Sequence, residues 1–416
     1  MGSFISWLDF SEEDQRKARE LMKLTENRDT IDDLGIATVR DAISNALFPG
    51  TSVVQTRPRY FLFIPWLFKR AESHPDQLID RSKLYEKKLI VALSRADDTR
   101  GVIGIEAGAN LANLPSAIYW SGLARYGIFL APSLTLRQYA RHVARGLVPA
   151  DTEDEVADRS ISFWQREVPE PPPHFFDFEE ANLDLTHDEA EWLCERIMSS
   201  DRFGEPNLLS AFVRDIRRGR PAPREEMWEA TLPADTPEAM TRLFHHAERF
   251  SCAVRGAALL YNVMLAEELA EVAPPDFNWR DPLEDGMYYD LLDTWQDSAD
   301  AVGLSEWAAN IEALWECVRP YARIPQRAQD FVNDWAAILA KYPQDIASSK
   351  PARQRIRERE VQHKRGQARF ANQKRLLDWT GRSGIRELTF RWQQVHDILE
   401  DIADGLGSAE GDHAVA

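Results

Sequence analysis

Cysteine is scarce in this chain: Cys194, Cys252 and Cys317 are three in number, widely spaced and odd. Such a set builds neither a disulfide framework nor a thiolate metal cluster, and a reducing cytoplasm is the compartment it fits. Long apolar runs are also missing. The best candidate, residues 60–68, is interrupted by Pro65 and falls far short of the roughly 18–20 residues a membrane span requires, so no membrane partner is expected. The first residues lack the basic and apolar regions of a secretory leader, and the formal myristoylation match at Met1-Gly2-Ser3 is too degenerate to carry weight. Catalytic signatures are absent as well. The nine histidines form no HExxH and no pair four apart, and there is no Cys-x-x-Cys, Walker loop, GxGxxG or GxSxG turn. Adjacent His245 and His246 would project about 100° apart on a helix and cannot easily share a metal. No cofactor, metal or catalytic residue is implied.

What the chain does have is segregated charge. Its formal net charge is −18, yet between Lys350 and Arg391 thirteen Lys and Arg face four acids, an excess of +9. Residues 1–150 carry +3, residues 151–349 carry −24 and residues 350–416 carry +3. Clustered cations of this kind are the footprint of a polyanion partner. Thirteen Trp are many for a chain of 416 residues, a length that accommodates two or three domains with real cores.

Strand signals are few, and the pattern predicts a mainly α, multidomain helical protein. Helices are expected over 15–24, with a cap at Ser11, and over 38–47, 84–96, 186–200, 236–272 and 305–341. The aromatic stretch 59–66 reads as buried, with strand and helix equally allowed. Five acids in 151–158 and four prolines in 169–173 mark an exposed linker. The expected organisation is therefore an N-terminal helical domain, 1–150, an acidic helical domain, 151–349, and a basic region, 350–416, ending in a short disordered tail.

Several features are candidates for function. Residues 84–128 have the order of a winged helix-turn-helix: helices over 84–96 and 103–112, a turn at Asn113-Leu114, then a third helix from Pro115 closing at Gly127. Its reading side chains would be Ser116, Tyr119, Ser121 and Arg125, and the alternative is a helical hairpin that only packs. Arg137, Arg141 and Arg145, four apart on a helix starting at Ser133, share one face and can meet successive phosphates, or else form a solvated stripe. The basic run of Arg353, Arg355, Arg357, Arg359, Lys364, Arg365, Arg369, Lys374 and Arg375 exceeds its own local acids. It binds either a nucleic-acid backbone or the chain's own acidic middle region. Asp76 with Glu86, Lys87 and Lys88 imitates the acids and lysine of metal-dependent nucleases. Glu86 falls in a helical pattern, however, and reads as part of a surface helix whose substitution should leave any activity unchanged. The acids Asp281, Glu284, Asp285, Asp290 and Asp293 lack calcium-loop spacing.

Residues 6–14, 34–68, 114–128 and the closing Leu388-Thr389-Phe390-Arg391-Trp392 together resemble a bacterial family of unknown function, the one numbered 6361. The similarity spans the whole chain, and 34–68 is its specific part. The resemblance implies no activity and no catalytic residues. It implies a place beside helicase and phospholipase-D-like proteins in phage-defence loci, and so a role near DNA. The expectation is an accessory protein that binds nucleic acid, DNA among the candidates, or a nucleic-acid-processing partner. The alternatives are a protein-only adaptor and a metal-dependent nuclease.

Overall fold

The computed structural model describes residues 32–105, 111, 113–146, 162–203, 206–274, 287–341, 344–379, 381 and 383–412. The helix expected over 15–24, the acidic linker 151–158, the acids Asp281, Glu284 and Asp285, and any tail beyond residue 412 lie outside them. The described chain is mainly α. Its helices are α1 Ala37–Leu47, α2 Tyr60–Glu72, α3 Leu78–Leu93, α4 Pro115–Arg125, α5 Leu136–Ala144, α6 His187–Ser199 and α7 Leu208–Arg217. They continue as α8 Glu238–Val272, α9 Met287–Ala301, α10 Leu304–Ala309, α11 Glu312–Val318, α12 Gln326–Lys341, α13 Lys350–Lys364, α14 Gln373–Leu377 and α15 Trp392–Asp412. Among the described residues no strand forms, and Phe129 and Trp164 make an isolated antiparallel bridge. No described helix is long and apolar enough to cross a membrane.

These elements gather into two compact units. Unit 1 holds Phe48–Pro237 and the described residues from Arg391 onward; unit 2 holds the segment up to Leu47 together with Glu238–Phe390. This division differs from the three sequential regions read from charge, because composition marks what is exposed whereas units are made by contacts between distant segments.

In unit 1, α2 is apolar all round over its first nine residues, and every residue from Tyr60 to Phe68 is buried. A stretch without a polar face has no amphipathic period, which is why periodicity cannot tell it from a strand. Arg59 anchors its start through Glu189 at 2.8 Å. The same Glu189 closes the capping box of α6, where its carboxylate accepts from the Thr186 amide and the Thr186 hydroxyl accepts from its own amide. A cluster of Phe68, Trp120, Phe129, Tyr139 and Trp164 fills the space behind α2. Trp164 donates to the Tyr139 hydroxyl at 3.0 Å, and that hydroxyl donates to Glu72 at 2.5 Å, so the polar edges inside the cluster are paired. The closing helix α15 lies against α6 and α7. Gly405 permits that approach, since a Cβ there would stand 2.9 Å from the Ala190 Cβ.

In unit 2 the 35-residue α8 runs through the core, as its spacing predicts. Two tryptophans clasp it at adjacent carbonyls: Trp295 donates to Cys252 O and Trp335 to Ala253 O, each at 2.8 Å. Gly256 makes room for the first indole, because a Cβ there would overlap Trp295 Cζ2. The single helix expected over 305–341 is instead three, α10, α11 and α12. Pro320 and Pro325 separate the last two, lacking the amide that a continuous helix needs.

Candidate nucleic-acid interface

The winged helix-turn-helix is met only at its two ends. Helix α3 begins earlier than expected, at Leu78, and α4 starts and stops where the Pro115 and Gly127 signals put it. Most of the second helix lies outside the described residues, and of its described part 103–105 are turn and residue 111 is irregular. Two of the four supposed reading side chains point inward. Tyr119 is buried, donating to Arg57 O at 2.8 Å and accepting from the Thr56 amide at 2.9 Å. Ser116 is buried against Glu86. Ser121 is exposed and Arg125 partly so.

The Ser116 contact also corrects the reading of Glu86 as a surface residue. Its side chain is 1% exposed. The carboxylate accepts from the Ser116 amide at 2.7 Å and the Ser116 hydroxyl at 2.9 Å, in the first turn of α4. It serves there as a cap supplied from another helix, where a negative group is favoured. Burial pushes its pKa up to about 7, against the Ser116 hydrogen bonds, which pull it down. The nuclease-like set does not assemble around it. Asp76 sits exposed on a short turn, and the Lys88 ammonium lies over the Phe178 ring.

The three arginines after α4 are arranged as the spacing predicts. Thr135 caps α5 with a full capping box on Gln138. Arg137 and Arg141 fall within the helix and Arg145 takes its C-cap, and all three are exposed. Four residues of helix advance about 6 Å, so the guanidinium groups form a ladder of short, regular steps. The opposite face carries Tyr139 and Ala140 into the core. Elsewhere in unit 1, Lys69, Arg70 and His74 line a cavity of about 490 Å³ with Trp66, Tyr85 and Phe176. Its aromatic faces are taken, since the Arg70 guanidinium covers Phe176 at 4.4 Å and Trp66 is buried.

The C-terminal basic run behaves differently, for most of its cations meet acids or carbonyls inside unit 2. On α13, Arg353 pairs with Glu267, Arg357 with Glu268, and Arg355 with Asp334 at 3.0 Å. Lys364 and Arg369 converge on Asp33, Arg369 at 3.0 Å. Burial and the neighbouring Arg369 drive the Lys364 pKa downward, against the charge of Asp32, which pulls it up. Arg359 is buried and donates to the carbonyls of Leu34 at 2.6 Å and of Gly35 and Arg327 at 2.9 Å. Its pKa is lowered from the usual value chiefly by burial. Behind them Glu360, 0% exposed, accepts from the Arg369 amide at 2.6 Å and the Tyr261 hydroxyl at 3.1 Å. Arg375 stands 3.6 Å from Asp378, and Arg365 and Lys374 are exposed. Glu267, Glu268 and Asp334 belong to the acidic middle region. Asp33, some three hundred residues distant in sequence, carries no signal that would single it out.

No curated protein and no solved structure matches this chain. The family of unknown function DUF6361 matches over residues 2–406, and the chain therefore belongs to that family.

Proposed function

We propose that this protein is an accessory nucleic-acid-binding factor that grips phosphates through the α5 stripe of Arg137, Arg141 and Arg145. The observation that carries the reading is the exposure of three guanidinium groups at four-residue spacing on one face of a capped helix. Guanidinium groups recognise phosphates without base preference, so the binding is sequence-tolerant and strongly salt-dependent. Work beside helicase or phospholipase-D-like proteins in a defence locus belongs to the same proposal, with a pull-down from the native host as its test.

The stripe is tested by replacing the three arginines together with glutamate and titrating mixed-sequence DNA across a range of salt. Every phosphate that the variant no longer neutralises should reduce the log–log salt slope by about 0.9. The triple variant should therefore bind far more weakly, with a slope lower by about 2–3. Equal binding by parent and variant would end this assignment. The second reading, a protein-only adaptor, is favoured by the pairing of the basic run within unit 2, which leaves that cluster little charge to offer a polyanion. Absence of DNA binding by the parent at low salt would favour it.

A further inference from the structure

The last helix carries an arrangement that the nucleic-acid reading leaves unused. His396, Asp397 and Glu400 lie on α15, and one ligand atom from each comes within 4.8 Å of the others. His396 and Glu400, four apart, share a helix face; Asp397 projects about 100° round the helix from His396 and joins them only through its carboxylate, an oxygen of which lies within 4.8 Å of both their ligand atoms. The imidazole is only 6% exposed. Its Nε2 is 3.1 Å from the carbonyl oxygen of Pro223, an atom that can only accept, so Nε2 carries the proton. In the neutral ring that leaves Nδ1 as a bare lone pair. It is buried, has no hydrogen-bond partner, and faces Glu400 Oε2 at 3.5 Å.

Two acceptors aimed at each other across that gap repel unless a positive centre lies between them. A proton fits poorly, because N–H···O bonds span about 2.7–3.2 Å. A tetrahedral ion fits better: ligands about 2.0–2.2 Å from zinc lie roughly 3.3–3.6 Å from one another. The remaining contacts agree. An imidazole that donates its second nitrogen to a backbone carbonyl has the outer support that orients metal-bound histidines. Asp397 is steadied in the same way, accepting from Gln393 Nε2 at 3.0 Å. Glu400 is exposed, which gives a cation a path from solvent.

We propose that His396 Nδ1 and the carboxylates of Asp397 and Glu400 bind a divalent cation of the zinc class, with water in the fourth position. The test uses the untagged full-length chain, stripped with a chelator, titrated with Zn²⁺ by calorimetry and with Co²⁺ by absorption spectroscopy. One saturable site with the intense visible bands of tetrahedral Co²⁺ is expected. Asp397→Asn and Glu400→Gln should each weaken it at least 10-fold and together abolish it. Neither side chain is part of the core, so circular dichroism should show both variants folded. His396→Gln should also abolish binding, but the two carboxylate variants decide even if that one fails to fold. Lack of saturable binding below millimolar metal would overturn the proposal, leaving His396 as an imidazolium paired with Glu400. Parent-like binding by the double carboxylate variant would overturn it equally, by placing the metal elsewhere.

Discussion

Removing the Glu86 carboxylate should loosen unit 1 at the start of α4, and the effect should depend on pH. The group is fully enclosed and takes two donors from Ser116. Glu86→Ala leaves a buried amide and a buried hydroxyl without an acceptor and opens a cavity, at a cost of about 2–4 kcal/mol. The pH dependence follows from the pKa, which burial lifts from 4.5 to about 7. Between those values the folded protein retains a proton that the unfolded chain has released. The contribution to stability is therefore fully present below pH 4.5 and is lost as pH rises through 7, a change on the order of 3 kcal/mol. Glu86→Gln keeps an acceptor oxygen but cannot titrate, so it should flatten that slope. Amide hydrogen exchange of peptides covering 114–126, measured at pH 5 and pH 8 after correction for the intrinsic rate, reads the effect where it occurs. Two outcomes would refute the reasoning: parent-like protection of α4 in Glu86→Ala, or an unchanged pH slope in Glu86→Gln.

Two further expectations concern unit 2. Reversing Arg355, Arg359, Lys364 and Arg369 to Glu should lower thermal stability sharply, because breaking a buried pair typically costs about 3–5 kcal/mol; a melting curve matching the parent's would show that these pairs are not formed in solution. Gly256→Ala should destabilise by about 1–3 kcal/mol through overpacking against Trp295, less up to about 1 kcal/mol of regained helix propensity. Trp295→Phe in the same background should recover part of that deficit, and strictly additive effects in the double-mutant cycle would count against the close approach.

The helices are legible in the sequence wherever a local signal sets them. The Thr186 start of α6, closed by Glu189, and the Pro115 start of α4 each state their own boundary, because a cap is chemistry within one turn, whereas α5 begins at its Thr135 cap, two residues past the expected Ser133. Legibility ends where the deciding partner is distant. Glu86 looks like a surface acid until Ser116 is set against it, and the basic run looks unbalanced until Asp33, Glu267, Glu268 and Asp334 arrive. Helix α15 does carry a local pattern: Val395, Ile398, Leu399 and Ile402 repeat at three and four and are all buried. Its His396 gives no signal as one of a histidine pair, since the partner four residues on is a glutamate.

The ownership of α15 by unit 1 has a consequence for the order of events on the ribosome. Unit 1 cannot close until residues beyond Arg391 emerge, and Glu238–Phe390, the bulk of unit 2, is made in between. At about 5–20 residues per second that interval lasts roughly 8–30 s. During it, the faces of α6 and α7 that α15 will cover remain open to water. Nascent unit 1 is thus the species that a chaperone would hold and a protease would find, and chains released before residue 391 should be cleared while unit 2 within them is already folded.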